Sequence, residues 1–148
     1  LEKVVTLNGH GGNPDTIRAT LREIAGMDDM PFVCSTGGIA REGWQNPIEH
    51  ASDHGGENET SRMMWIRPEL VRRDELADNP FGRLAVPTLS ETNFVRSWHL
   101  YVPVSAGGET RTSSADKGRA VIEAQATGLS DMLVELSAVP WSERFPYE

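Results

Sequence analysis

Two short stretches concentrate the residues able to do polar chemistry. The first is Asn8-Gly-His-Gly-Gly-Asn13, where glycines leave the His10 imidazole uncrowded and let the backbone turn where a Cβ would clash. The second is Glu49-His50-Ala-Ser-Asp53-His54-Gly-Gly-Glu57-Asn-Glu59-Thr-Ser61. It sets two histidines four residues apart, with Glu49, Asp53, Glu57 and Glu59 interleaved. Imidazole nitrogen and carboxylate oxygen together suit Zn²⁺, Mn²⁺ or Fe²⁺. The same groups can act as general acids and bases, tuned by a metal or by a neighbouring carboxylate. A plainer reading stands beside each. A His-Gly-Gly turn can simply satisfy a nearby carbonyl, and a solvated acidic loop can carry incidental histidines. No His-Glu-x-x-His or Cys-x-x-Cys pattern fixes a geometry.

These stretches need elements to position them. Val4, Val5 and Leu7 form a β-branched, apolar run, the pattern of a strand buried on both faces. Asn8-Gly9 interrupts it. Asn13, Pro14 and Asp15 then supply a helix N-cap, a proline at the first helical position and an acid in the first turn. His10 therefore sits in a strand–loop–helix joint, at the carboxyl end of a strand, where ligands collect in open α/β sheets. Ile17, Leu21, Ile24 and Ala25 predict a helix over 14–25 that Gly26 stops. A second strand over 30–34 would complete a βαβ unit with parallel pairing.

A glycine-rich loop carries Trp44, either a packing anchor or a pocket wall. The second motif runs into a helix from Glu57 or Glu59 to Ile66, closed or restarted at Arg67-Pro68. Residues 78–94 read as irregular. Ser97-Trp-His-Leu-Tyr-Val102 alternates large apolar and polar residues, which predicts a third strand with His99 packed rather than lining a pocket. The clearest helix is the last. Ser113 or Ser114 caps it, Asp116 lies in its first turn, Val121, Ile122, Gln125, Leu129, Met132, Leu133 and Leu136 form its core stripe, and Pro140-Trp141 ends it.

The composition narrows the functional classes. A chain of 148 residues fits one domain, 1–148, able to bury a core. A net charge of −8 argues against nucleic acid or an anionic membrane as partner. The single cysteine, Cys34, excludes an internal disulfide, fits a reducing, cytoplasmic setting, and reads as a small core residue rather than a nucleophile. No run approaches the roughly 20 apolar residues that span a bilayer.

Together, Asn8-Gly-His-Gly-Gly-Asn13 and His54-Gly-Gly-Glu-Asn-Glu-Thr-Ser61 resemble the paired signature of the creatininase (creatinine amidohydrolase-like) family. Ser97-Trp-His-Leu100 and Ser114-Ala-Asp-Lys-Gly118 resemble its C-terminal segment, so the likeness covers nearly the whole chain. It implies an α/β fold, a three-layer sandwich with a mainly parallel sheet. It also implies metal-dependent hydrolysis of non-peptide or cyclic amide C–N bonds, with Zn, Mn or Fe as the divalent ion and homo-oligomeric assembly. On this resemblance His10 is a metal ligand, His54 the acid/base that protonates the departing nitrogen, and Glu59 a carboxylate that orients the site. Asn8, Gly11, Gly12, Asn13, His50 and Asp53 fall in the expected pocket for a small amide substrate.

The sequence departs from the creatininase pattern in three places. Gly12 stands where creatininase has a metal-binding Glu, which makes Glu57 a candidate replacement ligand. Gly11 and His50-Ala51 stand where an aromatic and a Trp-Asp pair would contact substrate, so creatinine itself is not the expected substrate. The family's early Glu-x-His-x-Pro segment and the Asp after it have no counterpart in these residues. The expectation is a C-terminal portion of the family fold, either a fragment or a subunit completed by a partner chain. Two alternatives come from other classes: an anion-binding module using the Asn8–Asn13 loop and the following helix N-terminus, and a non-catalytic subunit.

Overall fold

The computed structural model describes residues 1–50 and 54–147, in two compact units. Asp53, assigned above to the pocket, lies outside the described residues.

The first unit comprises Leu1–Trp44 and Ala124–Glu148. Strand β1 (Lys3–Leu7) pairs in parallel with β2 (Phe32–Thr36), from Lys3 opposite Phe32 to Leu7 opposite Thr36. Helix α1 (Pro14–Ile24) is the crossover between them, as the proline and the apolar stripe predict. Among the described residues this sheet has only these two strands. Burial on both faces is accordingly not reached: Val4 and Val5 are half-buried and Leu7 is 62% exposed. Burial pushes the Cys34 thiol above its ordinary value, away from the reactive thiolate.

The remainder of this unit is the last helix, α4 (Ala115–Ala138), from Ala124 onward. It crosses residue 39 so closely that a Cβ on Gly128 would lie 2.2 Å from the Ile39 carbonyl oxygen. Arg41 grips Asp131, and Lys3 donates from Nζ to the carbonyls of Leu136 and Val139 at the helix end. A cation there meets orphan carbonyls and the negative end of the helix dipole.

The second unit is Gln45–Glu123. Its apolar core is Ile48, Met64, Val102 and Val121, each worth about 1.5–3 kcal/mol when fully buried. Helix α2 (Glu57–Ile66) supplies Met64 and the start of α4 supplies Val121. Two 3₁₀ turns follow α2, at Pro68–Leu70 and Arg73–Glu75. A short antiparallel pair then joins β3 (Asp78–Asn79) to β4 (Gly108–Glu109).

The third strand does not form. Residues 98–101 are a single helical turn, α3 (Trp98–Tyr101). Trp98 and Tyr101, three apart on that turn, meet edge to face at 5.6 Å, and Tyr101 stacks on Phe81 at 4.9 Å. Aromatic pairing at helical spacing outweighs the period-two pattern. His99, expected to be packed, is exposed there. Among the described residues no helix is long and apolar enough to cross a membrane.

Candidate functional site

Asn8 builds the His10 loop. Its backbone N–H extends the sheet to the Thr36 carbonyl at 2.7 Å. Its side chain closes an Asx turn: Nδ2 donates to the His10 carbonyl at 3.0 Å, and Oδ1 accepts from the His10 N–H at 3.2 Å. Asn13 donates from Nδ2 to the same Oδ1 at 3.1 Å, so it cross-links the loop instead of capping α1 with its side chain. His10 is exposed, and its ring lies over Gly12, where a Cβ would come within 2.7 Å of Nε2. Gly11, Gly12 and Asn13 are exposed and Asn8 is half-buried. The loop thus brings Asn8, His10, Gly12 and Asn13 together and presents one accessible imidazole.

From His54 on, the second motif is a turn held at both ends. His54 forms an antiparallel bridge with Gly107, donating at 2.9 Å and accepting at 2.7 Å. Its half-buried ring meets the Trp98 indole edge to face at 5.1 Å. Gly55 follows at φ +66°, a conformation that favours glycine. Glu59, in the first turn of α2, reaches back to accept the Gly55 N–H at 2.6 Å, and Thr60 donates from Oγ1 to the Gly55 carbonyl at 2.9 Å. This is the logic of a capping box, with the N-cap position itself taken by Gly56. Glu59 therefore restrains the peptide next to His54.

Glu57 is fully buried. Its Oε2 accepts the backbone N–H groups of Glu49 (2.9 Å) and His50 (2.7 Å), and its Oε1 accepts from Lys117 Nζ. Lys117 also donates to Glu49 Oε1 at 2.7 Å and to the Thr112 carbonyl at 3.0 Å. Burial pushes the Glu57 carboxyl up, but Lys117 and the two N–H donors outweigh it and hold it below its usual range. Glu49 and Glu57 in turn raise the Lys117 ammonium. A metal ion taking Glu57 would have to displace Lys117 from a buried carboxylate. The geometry makes Glu57 an anchor for residues 49–50, with His50 itself exposed.

Two further contacts tie α2 to the start of α4. Ser61, also fully buried, accepts the Ser114 N–H at 3.1 Å, and Ser114 caps the helix by accepting the Lys117 N–H at 3.2 Å. Gly118 packs against the α2 backbone, where a Cβ would lie 1.9 Å from the Ser61 carbonyl oxygen. Lys117, Gly118 and Ser61 are thus structural partners of the histidine turn. The sequence motif Ser114-Ala-Asp-Lys-Gly118 marked the segment without revealing that its lysine neutralises Glu57.

Among the described residues no three His, Cys, Asp or Glu side chains converge on a point that could hold a metal ion. A catalytic zinc usually takes three protein ligands. The described residues therefore do not fit a complete metal centre by themselves; His10, His50 and His99 are the exposed imidazoles among them.

The histidine at the strand exit and the buttressed turn after His54 belong to an α/β chain. The family described as creatinine amidohydrolase matches residues 1–133, and the chain belongs to this creatininase family. The mycofactocin precursor peptide peptidase of Mycobacterium ulcerans (strain Agy99) is 30% identical over 125 residues, covering 81% of this chain and 43% of that protein. A provisionally assigned creatinine amidohydrolase from Bacteroides fragilis NCTC 9343 superposes with a TM-score of 0.75 at 26% identity, over 94% of this chain and 55% of that one. A manganese form of creatininase gives 0.54 at 25% identity, over 88% and 55%. The chain spans about half the length of the relatives it matches.

Proposed function

We propose that this chain carries part of the active site of a divalent-metal amidohydrolase acting on a small cyclic amide or formamide other than creatinine. The observation that carries the proposal is the construction of the His54 turn. The His54 backbone is held by the Gly107 bridge and by the Glu59–Gly55 bond beside it, and its half-buried ring lies against the Trp98 indole. Such restraint is what a proton donor needs. In the reaction, water oxygen bonds to the carbonyl carbon, the C–N bond breaks, and His54 delivers a proton to the departing nitrogen. The products are a carboxylic acid and an amine. Glu59 acts through the backbone of Gly55. On the family resemblance, Asn8, Gly11, Gly12, Asn13 and His50 are candidate substrate contacts.

Zinc and manganese forms of creatininase support metal dependence here. His10 supplies one ligand, and the rest come from outside the described residues. In the whole protein the fold is a three-layer α/β sandwich with a mainly parallel sheet, of which 1–148 is a single family domain. The relative named as a peptide peptidase favours a peptide-derived amide.

Metal content tests the role of His10. The whole protein, with the residues that complete the site, equilibrated with Zn²⁺ or Mn²⁺ and then desalted should retain metal, and His10→Ala should reduce it by at least about tenfold. Equal retention by both would remove His10 from the ligand set. No retention by either would overturn metal dependence.

A further inference from the structure

Beside the His54 turn lies an apolar cavity of about 670 Å³, the size of a small-molecule site. Leu84, Phe94, Trp98 and Tyr101 line it, with Arg83 and Arg96 among them. Its floor is built by close backbone approach. Gly82 donates its N–H to the Tyr101 carbonyl at 2.8 Å, and a Cβ there would lie 2.1 Å from the Leu100 carbonyl oxygen. Trp98 belongs both to this cavity and to the edge contact with His54 at 5.1 Å, so the cavity adjoins the proposed proton donor.

Two observations indicate what fills it. Phe94, Trp98 and Tyr101 are about half exposed (49%, 53% and 49%), leaving aromatic surface for a ligand to cover. Arg83 and Arg96 have no ion-pair partner among the described residues, although acidic residues outnumber basic ones 22 to 14. Two exposed arginines bordering an apolar cavity, with no ion-pair partner among the described residues, favour a carboxylate.

We propose that this cavity is the specificity pocket for the substrate's distal end, an apolar or aromatic group bearing a carboxylate. The cavity's link to catalysis rests on the hydrolase reading of His54. The binding itself does not, so the probe is 3-phenylpropionate, which has no amide to cleave. Calorimetry on the intact chain should give saturable binding, stronger than that of the neutral 3-phenylpropionamide and weakened by salt. Trp98→Ala should weaken it about tenfold, and Arg83→Gln and Arg96→Gln about fivefold each. All three side chains are exposed, so circular dichroism should be unchanged. If Trp98→Ala does not fold, Trp98→Phe and the arginine variants decide.

Equal binding of the two probes, or binding untouched by the arginine variants, would overturn the proposal. So would absent binding, including the case in which light scattering finds a second copy of the chain covering the cavity. Probe binding without any amide hydrolysis would keep the pocket and sink the hydrolase. Hydrolysis without probe binding would do the reverse.

Discussion

His54→Gln lowers kcat for amide hydrolysis by about 10²–10⁴-fold, the range supplied by a positioned acid/base group. KM and bound metal stay near wild type, because glutamine keeps a polar side chain of similar reach but cannot carry the proton. The fold survives. His54 holds Gly107 through its backbone, which the substitution leaves in place. What is lost structurally is the ring contact with Trp98, worth about 0.5–1.5 kcal/mol, a few degrees in Tm. Steady-state kinetics with metal analysis separates the outcomes. A change confined to KM would make His54 a binding group, and an unchanged kcat would remove it from the chemistry.

Lys117→Met destabilises the protein by about 3–5 kcal/mol, because it strands the fully buried Glu57 carboxylate without its counter-ion. For a chain of this length that is a Tm fall of about 10–15 °C. Glu57→Gln is milder, since a neutral amide oxygen still accepts from the Glu49 and His50 N–H groups. The pH dependence follows from the directions of the two shifts. Glu57 is held below its ordinary value of 4.5, so its contribution is full above that pH and is lost as pH falls through the lower folded value. Lys117 is held above its ordinary 10.5, so its contribution is full below that pH and is lost as pH rises through the higher folded value. The stability gap between wild type and Lys117→Met is therefore widest between about pH 5 and 10 and closes at either side. Thermal unfolding across that range checks it; a gap that does not depend on pH would contradict the ion pair.

Local signals made the first unit and two of the helices legible in the sequence. Pro14 with its apolar stripe, and Ser114 with Asp116 in the first turn, mark helix starts by mechanisms that act within one turn. The parallel pairing of β1 with β2 follows from the crossover between them. The 97–102 segment misled, because its alternation is equally served by one helical turn whose aromatics pair three apart. The β3–β4 pair is two residues long on each side, too short to leave a period.

In the site, the glycines of both motifs were readable, since a positive φ at Gly55 and a crowded imidazole at Gly12 restrict the residue type. The fate of Glu57 was not. Whether a carboxylate meets a metal or an ammonium depends on Lys117, sixty residues away in the chain. Arg83 and Arg96 were silent for the same reason: an unpaired charge is a property of the folded surface.

The most direct test is amine release by the whole protein, with the residues that complete the site, from N-formyl-L-phenylalanine and a panel of formamides and cyclic amides, with Zn²⁺, Mn²⁺ or Fe²⁺, before and after chelation. The account predicts release that stops with the chelator and resumes when the ion is restored. Release indifferent to the chelator, or no release across the panel with any of the three ions, would contradict it.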